Sequence, residues 1–460
     1  MKLKKLFHCL IICLTIFLIS NTCIASNNWI RDEDGRAIIL HGLNISNAAK
    51  RTPTQLSWHT FEDYQRMKDE WGFNCVRLLI FWSVIEPEKG MYNYSYIDQV
   101  VERINWAEEL GLYVILDMHQ DLYSSKFGGV GAPNWAVWDD NLAYNPSDTW
   151  WLNYIKPAVI RSFKHFWTVE ELQTSYINSW IQIIQRVKNN SAIIGYDIMN
   201  EPFFGPFPPK IFEQFYLKNF YEKIIDEIRT IDQDHYIFYE PQIMASAGLK
   251  SFLPKINDEK AVYSPHFYEP TVHGGIPYFG FPYLISHTFN LRNKESEENI
   301  VPWLVGEFGV DEKTGGMDLY LIDILNQLNY HTASWTYWSY DYDTNSEFGI
   351  IDNLGNENDQ LDFLIYPYPQ AIAGDPIYFH YDFKERIFTM EFIETKINSP
   401  TELYIGLNRI YPEGFSINCS DPKYTWSWEY LSEKDILLLW TNKQVATHNI
   451  TIKPYLQKIL

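Results

Sequence analysis

The chain has 460 residues, 46% hydrophobic and 17% aromatic, with a formal charge of -21 at pH 7. That length exceeds one ordinary domain, and the apolar content excludes a disordered chain and leaves enough side chains for a large core. The acidic balance disfavours nucleic acid and anionic membrane surfaces as main partners, since both are polyanions; a neutral or weakly charged substrate is easier to accept.

In chain order, Met1 to Ser26 has the parts of a secretory signal: Lys2, Lys4 and Lys5, the apolar run Leu6 to Ser20, and the small-residue end Cys23-Ile24-Ala25-Ser26. Cleavage is expected after Ala25 or Ser26, giving a secreted or lumenal protein. The apolar run is too short for a comfortable membrane span. Cys9, Cys13 and Cys23 leave with it, and the remaining Cys75 and Cys419 lie too far apart to predict a bridge or a cysteine metal cluster. Sequons at Asn93, Asn189, Asn418 and Asn449 read as surface glycan acceptors, whereas Asn44 reads as buried.

From Ile38 onward, β-rich apolar runs alternate with helical patterns, the signature of parallel βα repeats. The predicted strands are Ala37-Leu43, Cys75-Leu79, Tyr113-Asp117, Ile193-Met199, Tyr236-Tyr239, Ala261-Pro265, Trp303-Glu307 and Thr332-Trp338. Helices are predicted over Ile97-Leu110, Val169-Lys188 and Lys210-Ile231. Eight strands close an α/β fold of the (β/α)8 TIM barrel type. Proline-punctuated Tyr366 to Gly374 marks the boundary, after which seven short alternating runs between Phe379 and Ile452 predict a small β-sandwich. The expected organisation is a signal over 1–26, a catalytic barrel over 27–370 and a C-terminal sandwich over 371–460. The sandwich carries no cluster of ionisable residues that reads as a site, so a structural role packed on the barrel is expected.

Two carboxylates sit in informative settings: Glu201 in Gly195-Tyr196-Asp197-Ile198-Met199-Asn200-Glu201-Pro202, and Glu307 in Trp303-Leu304-Val305-Gly306-Glu307-Phe308-Gly309. Each follows a short apolar run, as the C-terminal mouth of a barrel strand does, and catalytic side chains sit at that mouth. Pro202 removes a backbone donor and fixes the turn, and the glycines beside Glu307 allow close backbone packing. A retaining glycosidase needs two such carboxyl groups about 5 to 5.5 Å apart, one attacking the sugar and one shuttling the proton.

Asn200-Glu201-Pro202 and Gly306-Glu307-Phe308-Gly309 resemble the acid/base and nucleophile motifs of glycoside hydrolase family 5. Leu116-Asp117-Met118-His119-Gln120-Asp121-Leu122-Tyr123-Ser124 and Gly131-Ala132-Pro133-Asn134-Trp135-Ala136-Val137 narrow the resemblance to the endoglycoceramidases within that family. The resemblance implies that Glu307 is the nucleophile and Glu201 the acid/base. It makes Arg77 the charge partner of Glu307, Asn200 the donor to the sugar 2-hydroxyl, and His266 and Tyr268 the pair beside the nucleophile. Trp338 would be the aromatic floor under the reacting sugar, Lys50, Asp117 and His119 would reach sugar hydroxyls, and Trp135 would be an added platform. No metal or other cofactor is implied; Asp117, His119 and Asp121 could be weighed as ligands, but no closing set is evident.

Apolar loops follow two of these strands, Pro202 to Pro208 and Ile276 to Tyr283, and a ceramide tail could lie between them. At Phe203, where the family commonly has tryptophan, the sequence departs from the pattern. The expected activity is therefore cleavage between glycan and ceramide of a glycosphingolipid by a monomer. It would make transient membrane-surface contact and could use a lipid activator or detergent-like helper. A secreted endo-β-1,4-glucanase and a catalytically inactive glycolipid-binding barrel are the alternatives.

Overall fold

Seventeen strands, in chain order β1 to β17, form one barrel and two antiparallel sheets among the residues described, 29–342 and 348–455 of a computed structural model. The segment read as a signal lies outside the described residues.

The barrel strands are β2 (His41–Ile45), β3 (Cys75–Ile80), β4 (Tyr113–Met118), β5 (Ile193–Asp197), β6 (Tyr236–Tyr239), β7 (Ala261–Tyr263), β8 (Leu304–Val305) and β9 (Ser334–Tyr337). All pair in parallel in the order β7-β6-β5-β4-β3-β2-β9-β8, and a parallel bridge from Tyr263 to Trp303 closes the ring. Their runs are almost wholly buried because helices cover the outside while side chains fill the inside, so hydrophobicity is continuous rather than alternating. The helices Tyr94–Leu110 and Glu170–Val187 match expectation to within a few residues. The third, after β5, is helical from Pro209 to Arg229 but passes through a π-helical turn at Phe212–Leu217.

One expected strand is in fact two. Within Ala37-Leu43, β1 (Ala37–Ile38) leaves the barrel and pairs antiparallel with β10 (Tyr368–Ile372), and only His41 onward belongs to the barrel. The whole run is buried, but against different neighbours, so hydrophobicity alone could not reveal the break.

The C-terminal sheets have the orders β1-β10-β13-β16-β15 and β11-β12-β17-β14. The further strands are β11 (Gly374–Asp382), β12 (Ile387–Glu394), β13 (Thr401–Tyr404), β14 (Phe415–Cys419), β15 (Ser427–Leu431), β16 (Ile436–Trp440) and β17 (Thr447–Pro454). The stretch read as a boundary is largely strand: β10 lies between β1 and β13, with Pro369 at an irregularity in the register that tolerates its missing donor. The sandwich therefore starts at Tyr368 and borrows β1 from the barrel's leading segment.

Contacts between the two units are extensive. His41 stacks between Trp335 at 4.4 Å and Tyr368 at 3.8 Å, and one apolar core runs through both. Ion pairs Arg31–Asp375 (2.5 Å), Arg36–Glu402 (2.6 Å) and Arg409–Glu357 (2.7 Å) join them at the periphery. Cys75 and Cys419 are both unpaired and buried. Among the described residues no helix is long and apolar enough to cross a membrane.

Candidate active site

The inside of the barrel mouth is built around one buried arginine. Arg77, in the middle of β3, is fully buried and donates through Nη1 to Glu307 Oε1 (2.9 Å) and Asn44 Oδ1 (3.0 Å). Its Nε donates to Asp197 Oδ2 (3.0 Å), and Nη2 reaches Asn200 Oδ1, Glu240 Oε1 and Asp117 Oδ1, each at 3.1 Å. Burial alone would weaken its charge, but the carboxylates of Asp117, Asp197, Glu307 and Glu240 outweigh burial and raise its pKa well above the ordinary value. A single cation thus ties together groups from β2, β3, β4 and β5 and from the segments that follow β5, β6 and β8.

Glu307, two residues beyond β8, is held on both oxygens. Arg77 takes Oε1, and the Tyr268 hydroxyl donates to Oε2 at 2.9 Å. Burial, then the charges of Glu307 and Glu201, raise the Tyr268 pKa well above its usual value, so the phenol stays a donor. The adjacent glycine is required for this packing: a Cβ on Gly306 would stand 2.8 Å from His266 Nε2.

Glu201 approaches from the other side, after β5. Its backbone is in the left-handed region, φ 42°, which is costly for a residue with a side chain and persists only where surroundings impose it. Two side chains do so. The Glu201 N–H donates to Glu240 Oε2 at 2.8 Å, and Gln120 Nε2 donates to the carbonyls of Asn200 and Glu201, each at 2.9 Å. His266, after β7, sets Nδ1 3.1 Å from Glu201 Oε1 and 3.6 Å from Glu307 Oε2. One ligating atom each from Glu201, His266 and Glu307 lies within 4.8 Å of the other two. That spacing would admit a cation, and the Arg77 guanidinium already supplies positive charge beside Glu307.

Lys50, Asp121, His119 and Asp117 form a linked row beside Trp338. Lys50 Nζ pairs with Asp121 Oδ2 at 2.8 Å and stands 4.0 Å above the Trp338 ring. His119 stacks on the same tryptophan with centroids 5.5 Å apart, its Nδ1 2.7 Å from Asp117 and its Nε2 3.4 Å from Asp121. Burial and Lys50 would lower the His119 pKa, but Asp117 and Asp121 prevail and raise it. For Asp121 burial acts upward, yet Lys50 and His119 hold it well below the usual carboxylate range. Asp117, His119 and Asp121 are thus engaged with one another and with a lysine rather than arranged around a shared empty centre.

Of the residues expected from sequence, Lys50, Arg77, Asp117, His119, Asn200, Glu201, His266, Tyr268, Glu307 and Trp338 converge on this mouth. Trp135 is apart from them in its contacts: its indole N–H donates to the Glu86 carbonyl at 3.0 Å, and its ring meets Trp82 edge-on at 5.5 Å. Sequence reasoning missed Asp197, Glu240 and Gln120. Glu240 ends an apolar run and precedes Pro241, the same local signal that marked Glu201. Asn44 is buried, donating to the Gly306 carbonyl at 2.9 Å.

Of the apolar loops, Pro202 to Pro208 turns inward. Phe203 is buried against Tyr154 and Phe163, and Phe204 packs 4.5 Å from Phe203. The Ile276 to Tyr283 loop does the opposite. Tyr278 is anchored through its hydroxyl to Asp323 (2.6 Å), while Phe279, Phe281 and Tyr283 are 70%, 77% and 81% exposed.

Known proteins share this architecture. Residues 32–344 match the cellulase (glycosyl hydrolase family 5) family, and residues 367–453 match the glycoside hydrolase family 5 C-terminal domain. The chain belongs to glycoside hydrolase family 5. It is a glycosidase by family, with the barrel and sandwich in the family's arrangement. It is 26% identical to an endoglycoceramidase of Cyanea nozakii, covering 91% of this chain and 90% of that one. An endoglycoceramidase of Hydra vulgaris is also 26% identical, over 84% of this chain and 81% of that one. Among solved structures it resembles endo-glycoceramidase II from Rhodococcus sp. in its ganglioside GM3 complex, at 30% identity and a TM-score of 0.86, covering 93% of this chain and all of the other.

Proposed function

We propose that the protein is a secreted or lumenal retaining β-glycosidase that hydrolyses the bond between glycan and ceramide of glycosphingolipids. The observation carrying this reading is the pairing of Glu201 and Glu307 across His266 within 4.8 Å, with Arg77 and Tyr268 fixing both oxygens of Glu307. Glu307 attacks the anomeric carbon while Glu201 gives its proton to the glycosidic oxygen. The glycosyl-enzyme is then released by water that Glu201 deprotonates, so the anomeric configuration is retained. Asn200, positioned by Arg77 and by its own donation to the Gln120 carbonyl at 3.0 Å, faces the 2-hydroxyl, whose hydrogen bonds tighten in the transition state. Lys50, Asp117 and His119 hold further hydroxyls over Trp338.

The ceramide side of the reading rests on the endoglycoceramidase relatives and on the loop that follows His266 and Tyr268. Residues 270–291 contain no Asp, Glu, Lys or Arg, in a chain otherwise rich in them, and three of their aromatic rings face solvent. Such a surface suits an acyl chain or a neutral lipid layer. Release assays on gangliosides, lactosylceramide, galactosylceramide and carboxymethylcellulose test the proposal. Ceramide and the intact glycan, a single galactose in the case of galactosylceramide, are expected from one or more of the first three, and cleavage of carboxymethylcellulose alone would overturn it in favour of a glucanase.

A further inference from the structure

We propose that Glu240 is a positioning residue that fixes the backbone of the acid/base, Glu201, and holds the His266 ring beside it. This rests on the retaining reading above. Glu240 immediately follows β6 and is 2% exposed. Its own backbone is locked by Tyr221, whose hydroxyl accepts from the Glu240 N–H at 3.1 Å and donates to its carbonyl at 2.9 Å. The side chain then does two separate things. Oε2 accepts the N–H of Glu201 at 2.8 Å, holding the left-handed turn from one side while Gln120 holds it from the other. Oε1 lies 3.1 Å from both Arg77 Nη2 and His266 Nε2.

The second contact places a carboxyl group on the far side of the His266 ring, whose Nδ1 faces Glu201. Three arrangements of the protons suit a carboxyl oxygen 3.1 Å from Nε2: an ionised Glu240 beside an imidazolium, a protonated Glu240 beside a neutral ring with its hydrogen on Nδ1, and an ionised Glu240 beside a neutral ring with its hydrogen on Nε2. In the first two Nδ1 donates to Glu201 Oε1, 3.1 Å away, and in the third it accepts from a protonated Glu201. Burial, with Asp197 adding to it, pushes Glu240 up to about 8, and Glu240 and Glu307 hold the His266 pKa well above its ordinary value against burial. The charge of Glu240 therefore bears on the proton held between His266 and Glu201. Without Glu240 the Glu201 N–H loses its acceptor and the His266 ring loses the carboxyl group beside Nε2.

The test compares Glu240→Ala and the more conservative Glu240→Gln with wild type on two soluble lactosides. One has a dinitrophenol leaving group that needs no protonation, and the other an alkyl alcohol that does. With the acid/base misplaced, kcat/KM on the alkyl lactoside should fall on the order of 100-fold for Glu240→Ala, while on the dinitrophenyl lactoside it stays within about threefold. The alkaline limb of the pH profile should move, and Glu240→Gln should fall between wild type and Glu240→Ala. Equal losses on both substrates with an unmoved pH profile would mean general structural damage and overturn the proposal, as would wild-type kinetics on both. Should Glu240→Ala fail to fold, Glu240→Gln alone decides by the same comparison. The anomeric configuration of the wild-type product, read by NMR, separates the two ideas: inversion would sink the double displacement itself, whereas with retention the kinetics alone decide the role of Glu240.

Discussion

Replacing Phe279 and Phe281 together by serine isolates lipid recognition from sugar chemistry. Their rings are 70% and 77% exposed, on a loop whose base is fixed by the Tyr278 hydroxyl on Asp323 and by the Tyr278 N–H on the Gly315 carbonyl at 2.8 Å. The substitutions therefore remove little that the folded protein uses. A phenylalanine presents roughly 200 Å² when fully open, so if lipid covers half of what is exposed here, roughly 150 Å² of ring surface is withdrawn from water. At about 25 cal/mol per Å² that is about 3.7 kcal/mol, a loss of roughly 500-fold in kcat/KM on a glycosphingolipid in detergent micelles. Cleavage of a short aryl lactoside should change less than about twofold. Phe204→Ser is the informative contrast, because that ring already packs on Phe203; it should lower Tm and impair both substrates. Equal losses on lipid and soluble substrates for the Phe279 and Phe281 double variant would refute the lipid assignment and make the loop part of the catalytic wall.

Further outcomes are expected. Glu307→Gln should lose essentially all turnover while still binding substrate in a calorimeter, and in Glu201→Ala added azide should partly restore cleavage of an activated aryl glycoside with retained configuration; substantial turnover in the first, or no rescue in the second, would count against the double displacement. Asp341 provides a pH prediction: burial raises its pKa to about 6, against hydrogen bonds from Trp58, Ser339 and the Asn47 N–H that act downward. A carboxyl group raised in the folded state favours folding fully below its unfolded pKa, and that contribution is lost as pH rises through about 6, by at most about 3 kcal/mol. The fall in Tm between about pH 4 and 7 should accordingly be shallower in Asp341→Asn than in wild type, and parallel curves would show that Asp341 is not its source.

The barrel and the placement of Glu201 and Glu307 at its mouth were legible because a buried parallel strand is a continuous apolar run and the mouth lies where such runs end. Arg77, Asn200, His266 and Tyr268 were found by the same rule aided by resemblance. What escaped was set by pairing partners distant in sequence. Nothing in Ala37-Leu43 says that its first residues join a strand at Tyr368–Ile372, and Pro367 and Pro369 concealed β10 because proline in an inner strand is tolerated only at an irregularity. Asp197 was hidden inside a run read as ordinary strand, and its burial beside Arg77, which pushes its pKa up to about 6, exists only once β3 and β5 face the same interior.

The dipeptide Glu-Pro makes the limit of such reading concrete. It occurs as Glu86-Pro87 after the helix Trp82–Ile85, and beyond β5, β6 and β7 as Glu201-Pro202, Glu240-Pro241 and Glu269-Pro270. At the last three, proline fixes a turn in the segment that follows the strand. The dipeptide does not encode a role. Glu201 has a side chain 15% exposed and shares His266 with Glu307, and can reach a sugar. Glu240, at 2% exposure and enclosed by Arg77, His266 and the Glu201 N–H, can only hold its neighbours. Glu269 turns away to accept from the Val272 N–H and the Thr271 hydroxyl, each at 2.7 Å, capping the helix Pro270–His273. Three identical local signals thus give the proposed acid/base, the proposed positioning group and a cap. The difference between them is made by what the neighbouring strands bring within about 3 Å, the reach of a hydrogen bond, which is why the kinetics of Glu240 variants, rather than any further motif, must decide how far its role extends.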